Sequence, residues 1–512
     1  MGQTFPMVTH VQRLNFLRRL LFLAVGGLLS VFLALVPGWN LPPAAQATAG
    51  VATFTAWCWL TGPVPLEVAS LMPALLLPAT GVIGARHVAP LYFHDILLLF
   101  LGGFILALAL ERYDLHRRFA LAALTFFGAR QRRMILGFML VAAGLSMFIS
   151  NTSTALLMLP VAVAVLDECN EEEGERLKLP LLLGLAYAAS IGGVASPIGT
   201  APNGVLIARM AQDFPEAPEI AFGTWVVGAL PFVLVFLVVA WWLMTRVLVA
   251  LPNQPLDGYH QVRERRLAMG KRSLEQNLVL AVFCIVALLW MTRKGADFGS
   301  FSLPGWELLL PETVRESISD STVALAGVML LFILPGKAPG SKALMSWGDC
   351  IKVPWGILLL LGGGFALARA FEISGLATAI GESLKGTVAS MPPIAAILVT
   401  SLVVTFLTEI TSNTATINIL LPLFFSASVA AGVHPLLLGL PATLAVSCAF
   451  MLPVATPPNA ILFSSGRIRV REMARTGFWL NLCTVILVSL FAVYWVAPRW
   501  GFDLLSFPEW AR

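Results

Sequence analysis

Ser, Asn and Thr side chains set in hydrocarbon-like sequence are costly unless they bind something. This chain places such a triplet twice. Ser150-Asn151-Thr152 opens a segment that runs on through Ser153-Thr154-Ala155-Leu156-Leu157-Met158-Leu159 to Pro160. Ser412-Asn413-Thr414 opens the matching one, through Ala415-Thr416-Ile417-Asn418-Ile419-Leu420-Leu421 to Pro422. The copies lie 412 − 150 = 262 residues apart, about half of the 512-residue chain. A second pair follows, Gly199-Thr200-Ala201-Pro202-Asn203 and Ala455-Thr456-Pro457-Pro458-Asn459. There proline and glycine interrupt apolar runs and free backbone carbonyls and amides. A single interruption is ordinarily a packing kink; two in register with two polar triplets form the pattern of a two-sided binding site.

Ser, Thr and Asn oxygens with freed carbonyls make a neutral, hard-oxygen cage that suits Na⁺, whereas Zn²⁺ calls for His or Cys. None of the six histidines (His10, His87, His94, His116, His260, His434) falls in these motifs, nor does any Lys or Arg. Helix N-termini beginning at the triplets direct partial positive charge and free amides inward, which suits an anion. With no basic side chain at hand, a bound cation must supply the compensating charge, so cation and anion are expected to bind together. Glu409, three residues before Ser412, reads as a brace for the second triplet; a proton relay has no histidine or second carboxylate beside it. Asn418 either pairs with a neighbouring carbonyl or alters substrate choice. An embedded enzyme would need a His, a Cys or an acidic pair near Ser150 or Ser412, and neither triplet has one, so the chain is not read as an enzyme.

The elements that carry these motifs follow from composition. The chain is 58% hydrophobic and 12% charged, with a mean hydropathy of +0.84. Apolar runs recur throughout, and strand-type alternation in segments of about ten residues is missing. The fold class is therefore all-α and polytopic in a lipid bilayer. Expected spans are 14–36, 43–61, 64–84, 94–110, 180–209, 223–250, 275–292, 320–335, 354–371, 436–465 and 475–497. The triplet-bearing stretches, 134–167 and 392–430, are too long for one span and short for two, so each reads as a re-entrant hairpin with the triplet at its tip. The basic clusters support this. With the N-terminus cytoplasmic, two hairpins and about eleven spans, Arg13/Arg18/Arg19, Arg112 to Arg133, Arg263 to Arg272 and Arg467 to Arg475 all fall inside. The C-terminus is then periplasmic, the first hairpin opens inward and the second outward. These clusters are loops near headgroups; no soluble domain presents them to nucleic acid. The run after Arg19 reads as an uncleaved first helix. The six cysteines show no CxxC pairing. Ile96 to Phe104 resembles Ile357 to Phe365, 365 − 104 = 261 residues on, so each half reads Gly-rich span, hairpin, broken span. Hairpins opening to opposite sides make this an inverted repeat, the architecture of a secondary transporter.

Four segments in order resemble the signatures of the divalent anion/sodium symporter family: Leu145 to Thr152, Gly199 to Asn203, Thr408 to Thr414 and Leu452 to Asn459. The resemblance covers nearly the whole chain. It implies a homodimer in a bacterial inner membrane, each protomer pairing a scaffold (1–110 and 251–371) with a transport domain (111–250 and 372–512) that moves as an elevator. It further implies one Na⁺ site at Ser146, Ser150, Asn151 and Gly199, and another at Thr408, Ser412, Asn413 and Ala455. Substrate carboxylates would lie against Asn151, Thr152, Asn413 and Thr414, with Thr200, Pro202, Thr456 and Pro457 lining the pocket. The implied function is sodium-coupled import of C4-dicarboxylates such as succinate, malate or fumarate. A sodium-independent dicarboxylate or citrate exchanger and a citrate or sulfate symporter are the alternatives within the family. Exchangers are expected to carry basic side chains in place of the cation, and none stands at the matched positions.

Overall fold

The computed structural model describes residues 10–35, 41–252, 254–255, 259–297, 302–338, 340 and 342–511. Val36, at the end of the first expected span, lies outside the described residues. Apart from a two-stranded hairpin, Gly295–Asp297 with Ser302–Pro304, the described secondary structure is helical. Helices are the economical answer in an apolar medium, because each satisfies its own backbone groups.

The two halves correspond helix by helix. Asp95–Arg112, Leu115–Phe127, Gln131–Ser146, Asn151–Asp167, Glu171–Gly193, Ala201–Asp213 and Phe222–Trp242 form the first series. Trp355–Ile373, Leu376–Ser390, Pro393–Leu407, Asn413–Ala430, Leu436–Val446, Pro457–Ser464 and Val470–Phe491 form the second. Both expected hairpins are helix pairs that turn at the triplets, and both expected breaks separate two helices. Among the described residues seven helices are long and apolar enough to cross a membrane. That is fewer than the eleven spans read from hydropathy, because broken helices contribute only half-spans and Leu66–Ala79 and Asp320–Ile333 are short. Among the described residues, three helices of ten or more residues lie outside the expected spans and hairpins: Leu115–Phe127, Leu376–Ser390 and Tyr259–Ala268. The first and last dock together, Arg118 donating to the Met269 and Gly270 carbonyls at 2.8 and 2.6 Å.

Loop contacts sort the connections into two ends. At one end Arg112 pairs with Asp349, Arg467 with Asp167 (2.6 Å), Lys337 with Glu275 (3.1 Å), and Gln131 donates to Glu173 (2.6 Å). At the other, buried Arg293 pairs with Asp320 (2.7 Å) and Glu307 (3.1 Å), and Trp510 packs on Phe214 and His434. The base of the first hairpin belongs to the first end and the base of the second to the other, so the hairpins enter from opposite ends.

Glycines set the closest helix contacts. Gly192 rests on the backbone of Ala143, which keeps the broken helix Glu171–Gly193 against the first hairpin. A Cβ at Gly192 would collide with Ala143 backbone atoms, which cannot rotate away. Gly192→Val is therefore expected to destabilise the protein by about 1–3 kcal/mol, read as a lower thermal midpoint in detergent, whereas Gly27→Ala, with open space around it, leaves the midpoint unchanged.

Candidate functional site

At the first tip the chain leaves helix after Ser146 and re-enters it at Asn151. Ser150 caps the new helix, its Oγ accepting from the Ser153 amide at 3.1 Å and donating to Ser153 Oγ at 3.0 Å. Ser146 Oγ donates to Asn151 Oδ1. The second tip repeats this: Thr408 Oγ1 lies 2.5 Å from Asn413 Oδ1 and 3.1 Å from the Val446 carbonyl. Ser412 makes no side-chain cap there, and a Thr411–Thr416 hydroxyl pair at 2.6 Å stiffens the turn instead. Each triplet Asn thus opens a helix whose free amides point out of the tip.

The breaks are held by matched asparagines. Asn203 Nδ2 donates to the Gly193 and Ser196 carbonyls at 3.0 and 2.7 Å. Asn459 Nδ2 donates to Ala449 and Leu452 at 3.2 and 3.1 Å. Each break is also tied to its tip, by different chemistry. In the first repeat Ser196 Oγ donates to the Met147 carbonyl and accepts from the Gly199 amide at 3.1 Å. In the second, Glu409 reaches across: Oε1 accepts from the Phe450 and Met451 amides at 2.7 and 2.9 Å and from Asn481 Nδ2 at 2.8 Å, and Oε2 accepts from the Leu452 amide at 3.0 Å. Glu409 is 3% exposed. It braces the tip, as its position implies, but through the backbone of the break.

Oxygens converge at both joints. A Cβ placed on Gly199 would lie 2.5 Å from the Gly193 carbonyl oxygen and 2.9 Å from that of Ser146; one on Gly193 would lie 2.8 Å from Asn151 Oδ1. Ser146, Asn151, Gly193 and Gly199 therefore share one small nest of neutral oxygens. Thr408, Asn413 and the Val446 carbonyl make its counterpart. The Gly193 and Val446 carbonyls were not among the residues expected from sequence; backbone oxygens leave no residue-type signature, and only the glycine pair Gly192-Gly193 hinted at a close approach.

A cavity of about 370 Å³ lies between the tips. Ser150, Asn151, Thr152, Gly199, Thr200, Ser412, Asn413, Thr414, Ala455, Thr456 and Pro457 line it, so both triplets and both breaks meet there. Ser146 and Thr408 stand behind it, fully buried. Pro202 is also buried and does not line the cavity; Ala201, which matches Pro457 in the repeat, takes that place. Leu66, Phe100, Phe104, Ile357 and Leu360 close the opposite wall, a set that sequence reasoning missed, although Phe100 and Phe104 fall in the Gly-rich motif. The lining holds no charged side chain and no histidine. The hydroxyls of Thr152, Thr200, Ser412 and Thr414 make no hydrogen bond to protein among the described residues and remain available to a ligand. Asn418 does not line the cavity; it is buried against Gly364, with Nδ2 3.5 Å from the Leu360 carbonyl. Of its two readings, the structure supports the carbonyl pairing.

A family profile described as the sodium:sulfate symporter transmembrane region matches residues 14–500. The sodium-dependent dicarboxylate transporter SdcS of Staphylococcus saprophyticus is 38% identical over 475 residues, covering 91% of this chain and 89% of its own. The SdcS of Staphylococcus aureus (strain NCTC 8325) is 38% identical over 469 residues, covering 90% and 87%. Among solved structures, MtrF of Neisseria gonorrhoeae, described as illuminating a class of antimetabolite efflux pumps, aligns at a TM-score of 0.57 and 12% identity over 96% of each chain. The YdaH transporter of Alcanivorax borkumensis aligns at 0.52 and 14% identity over 96% of this chain and 99% of that one. At such identities these two structures speak for the fold alone.

Glu409→Gln puts an amide donor where one carboxylate oxygen now accepts. At least one buried N–H of the second break loses its partner, a cost of about 1–3 kcal/mol. The expected outcome is a lower thermal midpoint together with roughly tenfold or greater loss of transport, while Glu372→Gln, at an exposed ion pair, leaves the midpoint unchanged.

Proposed function

The chain belongs to the sodium:sulfate symporter family, and from that premise we propose that it imports C4-dicarboxylates such as succinate, malate or fumarate, coupled to Na⁺. The observation that carries this reading is the cavity between the two tips: rich in hydroxyls, amides and helix N-termini, and without a single basic side chain. A dianion there needs positive charge, and the neutral oxygen nests beside it are suited to hold that charge as Na⁺. Both relatives described above are named as sodium-dependent dicarboxylate transporters.

In this reading the first Na⁺ takes Ser146, Ser150, Asn151 and Gly199, with the Gly193 carbonyl beside them. The second takes Thr408, Ser412, Asn413 and Ala455, with the Val446 carbonyl. Occupied nests order the tips, so the amides of Asn151 and Asn413 and the hydroxyls of Thr152, Thr414, Thr200 and Thr456 face the dianion together. Pro457 and Ala201 complete the walls. Segments 111–250 and 372–512 then carry the loaded cavity across as one body against a scaffold of 1–110 and 251–371. The protomers pair as a homodimer in a bacterial inner membrane, with the N-terminus cytoplasmic and the C-terminus periplasmic; the end bearing Arg112 to Arg133, Arg263 to Arg272 and Arg467 to Arg475 is the cytoplasmic one. No step in this cycle makes or breaks a covalent bond.

In proteoliposomes, succinate uptake is expected to require an inward sodium gradient, and uptake indifferent to sodium sinks the coupling. Asn151→Ala and Asn413→Ala each remove a charge-assisted contact worth about 1.5–3 kcal/mol and are expected to lower uptake at least roughly tenfold. Normal transport by either variant overturns the assignment of that tip. Succinate is also expected to raise the thermal midpoint only when Na⁺ is present.

A further inference from the structure

A second, smaller cavity of about 240 Å³ sits below the first tip, on the side of the hairpin base. Glu111, His116, Ser153, Thr154, Leu156 and Leu157 line it. Glu111 has no ion-pair partner among the described residues, since its neighbour Arg112 is committed to Asp349. Thr154 is 1% exposed, and its hydroxyl has no hydrogen-bond partner. His116 Nδ1 lies 3.1 Å from the Leu110 carbonyl. The cavity thus gathers the hydroxyls of Ser153 and Thr154 around one carboxylate, and neither Lys nor Arg is in its lining.

A hydroxyl pair stands between the cavity and the main site. Ser153 lines the small cavity, Ser150 lines the large one, and their Oγ atoms are 3.0 Å apart. A dianion would be repelled by Glu111. A monovalent cation would be attracted, and oxygen ligands await it.

The inverted repeat supplies an internal comparison. Glu372 matches Glu111, 372 − 111 = 261 residues on, and Asp114 and Gly375 share the positive φ that follows. In the second repeat, however, Arg369 stands where the first has Leu108, and it pairs with Glu372 at 2.7 Å. Ala415 replaces Ser153, and Thr416, the match of Thr154, is already bonded to Thr411 at 2.6 Å. The same position of the repeat is therefore neutralised and its ligands removed in one half, and left without an ion pair in the other.

We infer that the cavity bounded by Glu111, His116, Ser153 and Thr154 is a monovalent-cation site, through which Na⁺ passes between the cytoplasmic face and the nest at Ser146 and Asn151. This rests on the sodium-coupled reading above. Glu111 holds the cation in the vestibule, and the Ser150–Ser153 pair is the last barrier before the nest. The route exists in one repeat only, so Na⁺ exchange with the first nest is polarised towards the cytoplasm.

The test uses right-side-out vesicles of the full chain loaded with succinate and graded internal Na⁺, with efflux as the readout. In Glu111→Gln the half-saturating internal Na⁺ is expected to rise roughly fivefold, with half-saturating external Na⁺ for uptake and the KM for succinate unchanged. Thr154→Val is expected to shift the same parameter in the same direction, Glu111→Asp to restore it, and Glu372→Gln to leave it at the wild-type value. An unchanged internal Na⁺ dependence in Glu111→Gln, with the wild type sodium-dependent, overturns the vestibule alone. Equal shifts in internal Na⁺, external Na⁺ and succinate KM overturn it in favour of a structural role. A wild type indifferent to sodium overturns the coupled reading and the vestibule with it.

Discussion

An unpaired backbone amide or carbonyl inside an apolar protein costs about as much as a whole protein's margin can spare a few times over. This chain interrupts two helices at their middles and two hairpins at their tips, so it frees such groups in four places. The arrangement persists because named side chains take up freed groups at both breaks. Asn203 and Asn459 each gather carbonyls that lie seven and ten residues earlier in the chain. Ser196 and Glu409 lock each break to its own tip. Only the oxygens around Gly199 and Thr408, and the amides at the tips, are left for a ligand. The polar side chains are thus divided between those that complete the backbone and those that face the cavity, and the first group makes the second possible.

The repeats solve this problem with opposite polarity. At the first joint a hydroxyl donates to a carbonyl; at the second a carboxylate accepts three amides and a side-chain amide. The second nest therefore has an acidic side chain one residue from Thr408, and the first has none within its own joint. Two sites built from the same triplet accordingly sit in different electrostatic surroundings. The inverted symmetry describes the fold, not the energetics.

How much of this was legible in the sequence depended on whether a feature leaves a residue-type signal. The triplets and the Thr-x-Pro-Asn breaks do, because polar residues and prolines stand out against Leu, Val and Ala, and the structure brings all four together around one cavity. The helices Leu115–Phe127 and Leu376–Ser390 do not, because each is amphipathic and a search for uninterrupted apolar runs passes over it. The Gly193 and Val446 carbonyls were hidden because any residue carries a carbonyl. Glu409 was found, but its partners at Phe450 to Leu452 lie some forty residues on, beyond any local pattern. Pro202 was one residue out of register: the repeat aligns Ala201, not Pro202, with Pro457, since Thr200 and Thr456 are the shared anchors.

The Gly-rich motif of each half acquires its meaning only in three dimensions. Gly102 meets Ala324, and Gly363 meets the Ser70 carbonyl. The adjacent Gly103 and Gly364 meet Ile198 of the first break and Asn418 of the second hairpin. Each Gly-rich helix thus makes two close contacts, one through each of its paired glycines. A side chain at Gly103 or Gly364 would collide with Ile198 or Asn418, which occupy the notches that these glycines leave. Asn418 also reaches the Leu360 carbonyl at 3.5 Å. The glycine pairs thus let a break and a hairpin seat closely against the Gly-rich helices at the level of the cavity, and a domain proposed to move as a rigid body must release these seats as it goes.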